Sequence, residues 1–218
     1  MKFAISVGHG KYIRGASGSP VPPQLDEVDY CVNVVDRVYE LINSIEGMSA
    51  VKFFDTTSHD QSANLEKITN WHNSQTRDYD VSCHLNAYDG SAHGTEVLYV
   101  TQQELAQELC DAICEAGDFT NRGAKYRSDL YVLNNTDKPA VLLETAFCDH
   151  TGDCNALNSR FDDICKVIAE TLTGKQLGEA PERPPVVPEE RSRVSINIKT
   201  KGDVVISING EEFHNPSL

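Results

Sequence analysis

The 218-residue chain carries 19 Lys+Arg against 33 Asp+Glu, a formal net charge of −14. That balance argues against a nucleic-acid partner and against docking on an anionic membrane, since neither polyanion is attracted to an acidic surface. With 39% hydrophobic and 24% charged residues the composition is that of a globular protein, and no apolar run reaches the roughly 20 residues of a membrane-spanning helix.

At the N-terminus, Met1-Lys2 leads directly into the β-like run Phe3-Ala4-Ile5-Ser6-Val7, with no apolar h-region and no small-residue cleavage site of the signal-peptide kind. The expectation is a protein that is cytoplasmic in the producing cell and reaches any external target only after release. Seven cysteines without disulfide-framework spacing are expected as thiols packed like small apolar side chains. Along the chain, apolar runs predict strands at 2–7, 50–54, 80–84, 95–100, 130–133 and 140–145. Helical periodicity predicts helices at 26–46, 61–75, 102–116 and 158–172. The first of these repeats Val28, Cys31, Val32, Val35, Val38, Leu41 and Ile42 on one face; the second follows the capping neighbourhood Ser58-His59-Asp60. Strands interleaved with helices predict an α/β fold: a largely parallel twisted sheet of about six strands flanked by helices, phosphorylase/hydrolase-like.

Composition changes at Gly178–Glu190, where four prolines fall among charged residues. The expected organisation is therefore a main domain over 1–175, a Pro/Glu-rich linker over 176–192, and a small β-ribbon over 193–218. In the ribbon, Val194–Ile198 and Val204–Ile208 alternate apolar and polar residues, and Asn209-Gly210 signals a further turn. So short a ribbon cannot bury a core of its own, and self-association into a homo-oligomer through its edge strands is the expected role.

Three predicted strands end on residues able to bind a metal or move a proton: His9 after 2–7, His84 at the end of 80–84, and Glu144 near the end of 140–145. Ligands in open α/β sheets bind outside the carboxyl ends of the strands, so the three are expected to converge. Glu27, in the first turn of the 26–46 helix, is the fourth candidate; a carboxylate there is also favoured simply by the helix dipole. Two imidazoles and a carboxylate form a set that binds zinc tetrahedrally with one position left for water, which leaves Glu144 as the proton-moving group.

Ser6-Val7-Gly8-His9-Gly10, Glu27-Val28-Asp29, Ser82-Cys83-His84-Leu85-Asn86-Ala87, His93-Gly94-Thr95-Glu96-Val97 and Leu142-Leu143-Glu144-Thr145-Ala146-Phe147 follow one another in a telling order. In that order the chain resembles the zinc-dependent N-acetylmuramoyl-L-alanine amidases of the Amidase_3 type, in particular the catalytic domains of endolysins from Listeria and clostridial phages. Gln61–Leu65, Asn70–Asn73, Asn121–Lys125 and Leu130–Asn134 agree with the same pattern. The resemblance implies Zn2+ held by His9, Glu27 and His84, with Glu144 as the catalytic glutamate. It also implies a peptidoglycan substrate cut between N-acetylmuramic acid and L-alanine by zinc-activated water. Ser6 and Lys11 depart from the family pattern, in which an acidic residue and a glycine are common; Ser6 bears on what backs His9. A zinc-dependent peptidoglycan peptidase and a non-catalytic wall-binding module are the alternatives.

Other chemistry-bearing residues have plainer readings. Cys148-Asp149-His150 with Cys154 fits no zinc module and is expected to be loop. His59, His72 and His93 are expected at the surface or in packing, Trp71 in the core, and Cys110 with Cys114 on a buried helix face. Asn86 is read either as a turn former or as an orienting group. Arg122, Lys125 and Arg127 form a local basic loop, either solvated or in contact with carboxylates of a substrate peptide.

Overall fold

A computed structural model describes residues 1–17 and 25–178, together with the backbone of 194–199, 203–208 and 211–214. The chain divides into two compact units, Met1–Ala180 and Pro181–Leu218. In the second, β7 (Val194–Lys199), β8 (Asp203–Ile208) and β9 (Glu211–His214) form an antiparallel sheet in that order. The expected linker lies largely outside the described residues.

The first unit is built on six strands: β1 (Lys2–Gly10), β2 (Ser49–Asp55), β3 (Tyr79–Asn86), β4 (Thr95–Tyr99), β5 (Asn121–Tyr126) and β6 (Ala140–Phe147). They lie in the order β2-β1-β3-β6-β4-β5. β2, β1, β3 and β6 are mutually parallel, whereas β4 runs antiparallel to β6 and carries β5 parallel to itself. The helices are α1 (Glu27–Asn43), α2 (Gln61–Ser74), α3 (Gln103–Gly117), α4 (Tyr131–Asn135), α5 (Thr151–Ser159) and α6 (Phe161–Thr173).

Side chains alternate across a strand, and here the two faces have different tasks. Phe3, Ile5, Val7, Val81, Cys83, Leu85, Val141 and Leu143 point into the main core, against the apolar faces of α1, α3 and α6. In α3 that face is Ala106, Leu109, Cys110, Ile113 and Cys114; burying each of its large aliphatic side chains contributes about 1.5–3 kcal/mol. All seven cysteines are free and buried. The opposite face carries Ser6, Asp80, Ser82 and His84, and beyond them a smaller cluster in which Leu98 and Leu142 pack with Val132 and Leu133 of α4. Among the described residues no helix is long and apolar enough to cross a membrane.

Three expectations need correction. The run at 130–133 is not a strand: Tyr131–Asn135 is a short helix whose Val132 and Leu133 cover the second cluster, an outcome that a brief apolar run leaves open. The sixth strand is instead Asn121–Tyr126, an edge strand with little burial on either face. The helix expected at 158–172 is α6 and begins only at Phe161; residues 158 and 159 belong to a separate helix, α5, over Thr151–Ser159, with Arg160 at the boundary between the two.

Candidate metal centre

The strands run two or three residues further than predicted, so His9 lies within the last residues of β1 rather than beyond it, and His84 lies two residues before the end of β3 rather than at it. Glu27 is the first residue of α1 and reaches over the end of the sheet. Its Oε1 lies 3.0 Å from His84 Nδ1 and 3.4 Å from His9 Nε2. One donor atom from each of the three residues falls within 4.8 Å of the others, and this is the single such group of three found among the described residues. The imidazoles meet edge to face with centroids 4.9 Å apart.

The neighbours explain the placement. A Cβ on Gly8 would fall inside the His84 ring, and a Cβ on Gly15 would meet Glu27 Oε2 and the His9 ring. Gly15 also has φ +67°, a conformation open to glycine. Ala16 N–H donates to Glu27 Oε2 at 2.6 Å and Leu85 N–H to Oε1 at 3.2 Å. α1 is anchored at the same end by Asp26, whose side chain accepts from the Asp29 N–H, a cap worth about 1 kcal/mol, and is ion-paired to Arg14. Ser82, two residues before His84 on the same strand face, places its hydroxyl 3.1 Å from His84 Nε2, fixing the ring with Nδ1 toward Glu27.

Burial would raise the Glu27 carboxyl, but hydrogen bonds and charge from His84 and His9 outweigh it and bring its pKa down to about 2. Burial lowers His84, against the opposing effect of its hydrogen bond to the Glu27 carboxylate. An ionised carboxylate beside a neutral imidazole is what a divalent cation requires of its ligands. The donor set, its glycine cradle and the ring-orienting hydroxyl therefore fit a metal ion.

Glu144 faces this cluster as the register partner of His84. Its Oε2 is buried without a hydrogen-bond partner. Burial foremost, then the negative charges of Glu27 and Glu96, push its carboxyl well above the usual range, with Arg127 pulling the other way. Glu96, absent from the sequence-based candidate list, is Glu144's partner across β4 and β6. Asn86 Nδ2 donates to Glu96 Oε1 at 3.2 Å and Arg122 Nε to Oε2 at 2.9 Å, while the Arg122 guanidinium lies over the Phe147 ring. Asn86 thus holds Glu96 as well as ending a strand.

The remaining candidates are structural. His150 caps α5, Cys154 Sγ lies 3.0 Å from the Cys148 carbonyl oxygen, and neither joins a second group of donors among the described residues. His72 is fully buried between Asp80 Oδ1 (2.7 Å) and Ser6 Oγ (2.9 Å). Ser6 therefore serves His72, and the buried Nδ1 of His9 has no partner. His59 stacks on Tyr12 and His93 on His150. Trp71 is only half-buried, stacked on Phe53 with centroids 5.0 Å apart, rather than in the core.

Comparison with known proteins agrees with this picture. Residues 4–174 match the Amidase_3 family, described as N-acetylmuramoyl-L-alanine amidase. N-acetylmuramoyl-L-alanine amidase CwlM of Bacillus licheniformis is 28% identical over 165 residues, covering 73% of this chain and 61% of that protein. The probable cell wall amidase LytH of Staphylococcus epidermidis is 33% identical over 161 residues, 72% of this chain and 52% of the relative. The chain thus spans little more than half the length of these curated relatives. Among solved structures, the catalytic domain of the CD27L endolysin targeting Clostridia difficile superposes with a TM-score of 0.71 at 28% identity, covering 82% of this chain and 99% of that one.

Proposed function

The chain belongs to the Amidase_3 family of N-acetylmuramoyl-L-alanine amidases, and from that membership we propose that it is a peptidoglycan hydrolase of the endolysin or autolysin kind. The bond cut is the amide between N-acetylmuramic acid and L-alanine. The observation carrying this reading is the meeting of His9, Glu27 and His84 at one point with Glu144 alongside.

His9 Nε2, His84 Nδ1 and Glu27 would hold Zn2+, which when bound supplies Lewis acidity toward the amide carbonyl and toward water. Glu144 accepts the proton of the attacking water and passes it to the departing L-alanine nitrogen, and its raised proton affinity suits both halves of that transfer. Ser82 and the Leu85 and Ala16 amides keep the imidazole and the carboxylate aimed. Arg122 and Asn86 hold the Glu96 side chain in place by hydrogen bonds, and the Arg122 guanidinium sets a positive charge beside it.

Digestion of purified cell walls tests the proposal. New N-terminal L-alanine on an intact glycan, lost with a chelator and restored by Zn2+, is the expected result. Reducing sugar ends, or amino termini other than L-alanine, would overturn it.

A further inference from the structure

The face of the sheet that presents Glu144 continues sideways across β4 to the edge strand β5. Glu144 pairs with Glu96, Leu142 with Leu98, and Leu98 in turn with Lys125, so all five side chains share one face. Arg127, two residues on, is tied to β4 by its N–H to the Tyr99 carbonyl at 2.9 Å and feels the charges of both Glu96 and Glu144. Lys125 and Arg127 thus flank the candidate site on the side away from His9.

Neither cation is committed. Lys125 is exposed, and its ammonium has no ion-pair partner among the described residues. Arg127 is paired with Asp129, but the two side chains are 41% and 66% exposed, and a solvent-screened pair of that sort exchanges readily for another carboxylate. Arg122, by contrast, is already engaged by Glu96 and Phe147. In a chain of net charge −14, two available cations beside a candidate active site call for a ligand of opposite sign.

We propose that Lys125 and Arg127 form a carboxylate-binding subsite for the peptide on the leaving side of the scissile amide, specific for the free α-carboxylate of its second residue. The spacing suits that position. β5 lies two strand separations from β6, roughly 10 Å, and both side chains are long enough to reach part of the way back. The second residue of an extended peptide lies roughly 7 Å from the bond that is cut. The subsite rests on the amidase reading above, which it supplies with a direction: peptide toward β5, sugar toward β1.

The test uses the full chain and two soluble muramyl tripeptides that differ only in whether the second-residue carboxyl is free or a carboxamide. For Lys125→Ala/Arg127→Ala we expect the preference for the free acid over the amide, read as the ratio of their kcat/KM values, to fall about tenfold, a readout in which any effect of Arg127 on Glu144 is shared by the two substrates. Lys125→Glu should lower that preference further. Equal effects on the two substrates, or no effect on either, would overturn the subsite. Calorimetric binding of the peptides without the sugar reads the same preference independently of turnover. If wild-type protein releases no peptide yet binds the free acid in preference to the amide, the subsite stands and the amidase reading fails.

Discussion

His84 packs its imidazole onto the bare Cα of Gly8, in the volume a Cβ would occupy. The two residues sit on neighbouring strands in the pairing between β1 and β3, so the absence of a side chain on one sets the ring position of the other. Gly8→Ala should fold, because its strand backbone is not in the left-handed region, but the ring must shift. The expected outcome is a metal affinity lowered at least tenfold and a stability loss of about 1–3 kcal/mol, read by competition against a metal chelator and by urea denaturation.

Ligand and proton-transfer roles separate by substitution. His84→Ala should abolish both activity and bound metal, whereas Glu144→Gln should lower turnover about 10²–10⁴-fold with metal stoichiometry intact, as read by elemental analysis of the purified variants. Near-normal turnover in Glu144→Gln would remove that residue from the mechanism.

Stability should fall in acid because of two carboxylates that are not among the candidate metal ligands, Asp55 and Asp80. For Asp55, burial, which favours the neutral form, is outweighed by hydrogen bonds from Ser58, Asn64, Thr57 and Lys67; for Asp80, His72 and Arg77 outweigh it. Both carboxyls therefore ionise at lower pH folded than unfolded. Their contribution is complete above the unfolded value of about 4 and disappears as pH drops through the folded values. Urea midpoints measured from pH 5 down to pH 2 should decline, and Asp80→Asn should flatten the slope. The same variant should cost about 3 kcal/mol at neutral pH, since it leaves the buried Arg77 guanidinium without its carboxylate.

Self-association is expected to reside in the Pro181–Leu218 unit, whose three strands leave β7 and β9 as edges within their sheet. Light scattering should give a multiple of the chain mass for the full-length protein and a single chain mass for a version ending at residue 178. Identical monomeric masses would dismiss it.

Much of this was legible in the residues because His9, His84 and Glu144 follow apolar runs whose alternation with helices already implies a parallel sheet. The crevice at the strand ends then follows from topology. What was not legible depends on context. Asn121–Tyr126 lacks an apolar alternation because an edge strand buries little, while Leu130–Leu133 is apolar enough for a strand but packs as a helix turn on Leu98 and Leu142. Glu96 acquires meaning only through its register with Glu144, a pairing created by the reversed direction of β4. The exception is Ser82: its two-residue offset from His84 on one strand was a visible signal for the group that orients that ring.

The three donors come from β1, α1 and β3, and the Glu27–His84 pair spans 57 residues of chain. An ion seated there acts as a clasp between segments that are otherwise joined by burial and backbone pairing. Loading and unfolding are then thermodynamically linked, so the melting temperature becomes a gauge of site occupancy. Even with no substrate present, resistance to heat and to proteases should already track the supply of free metal.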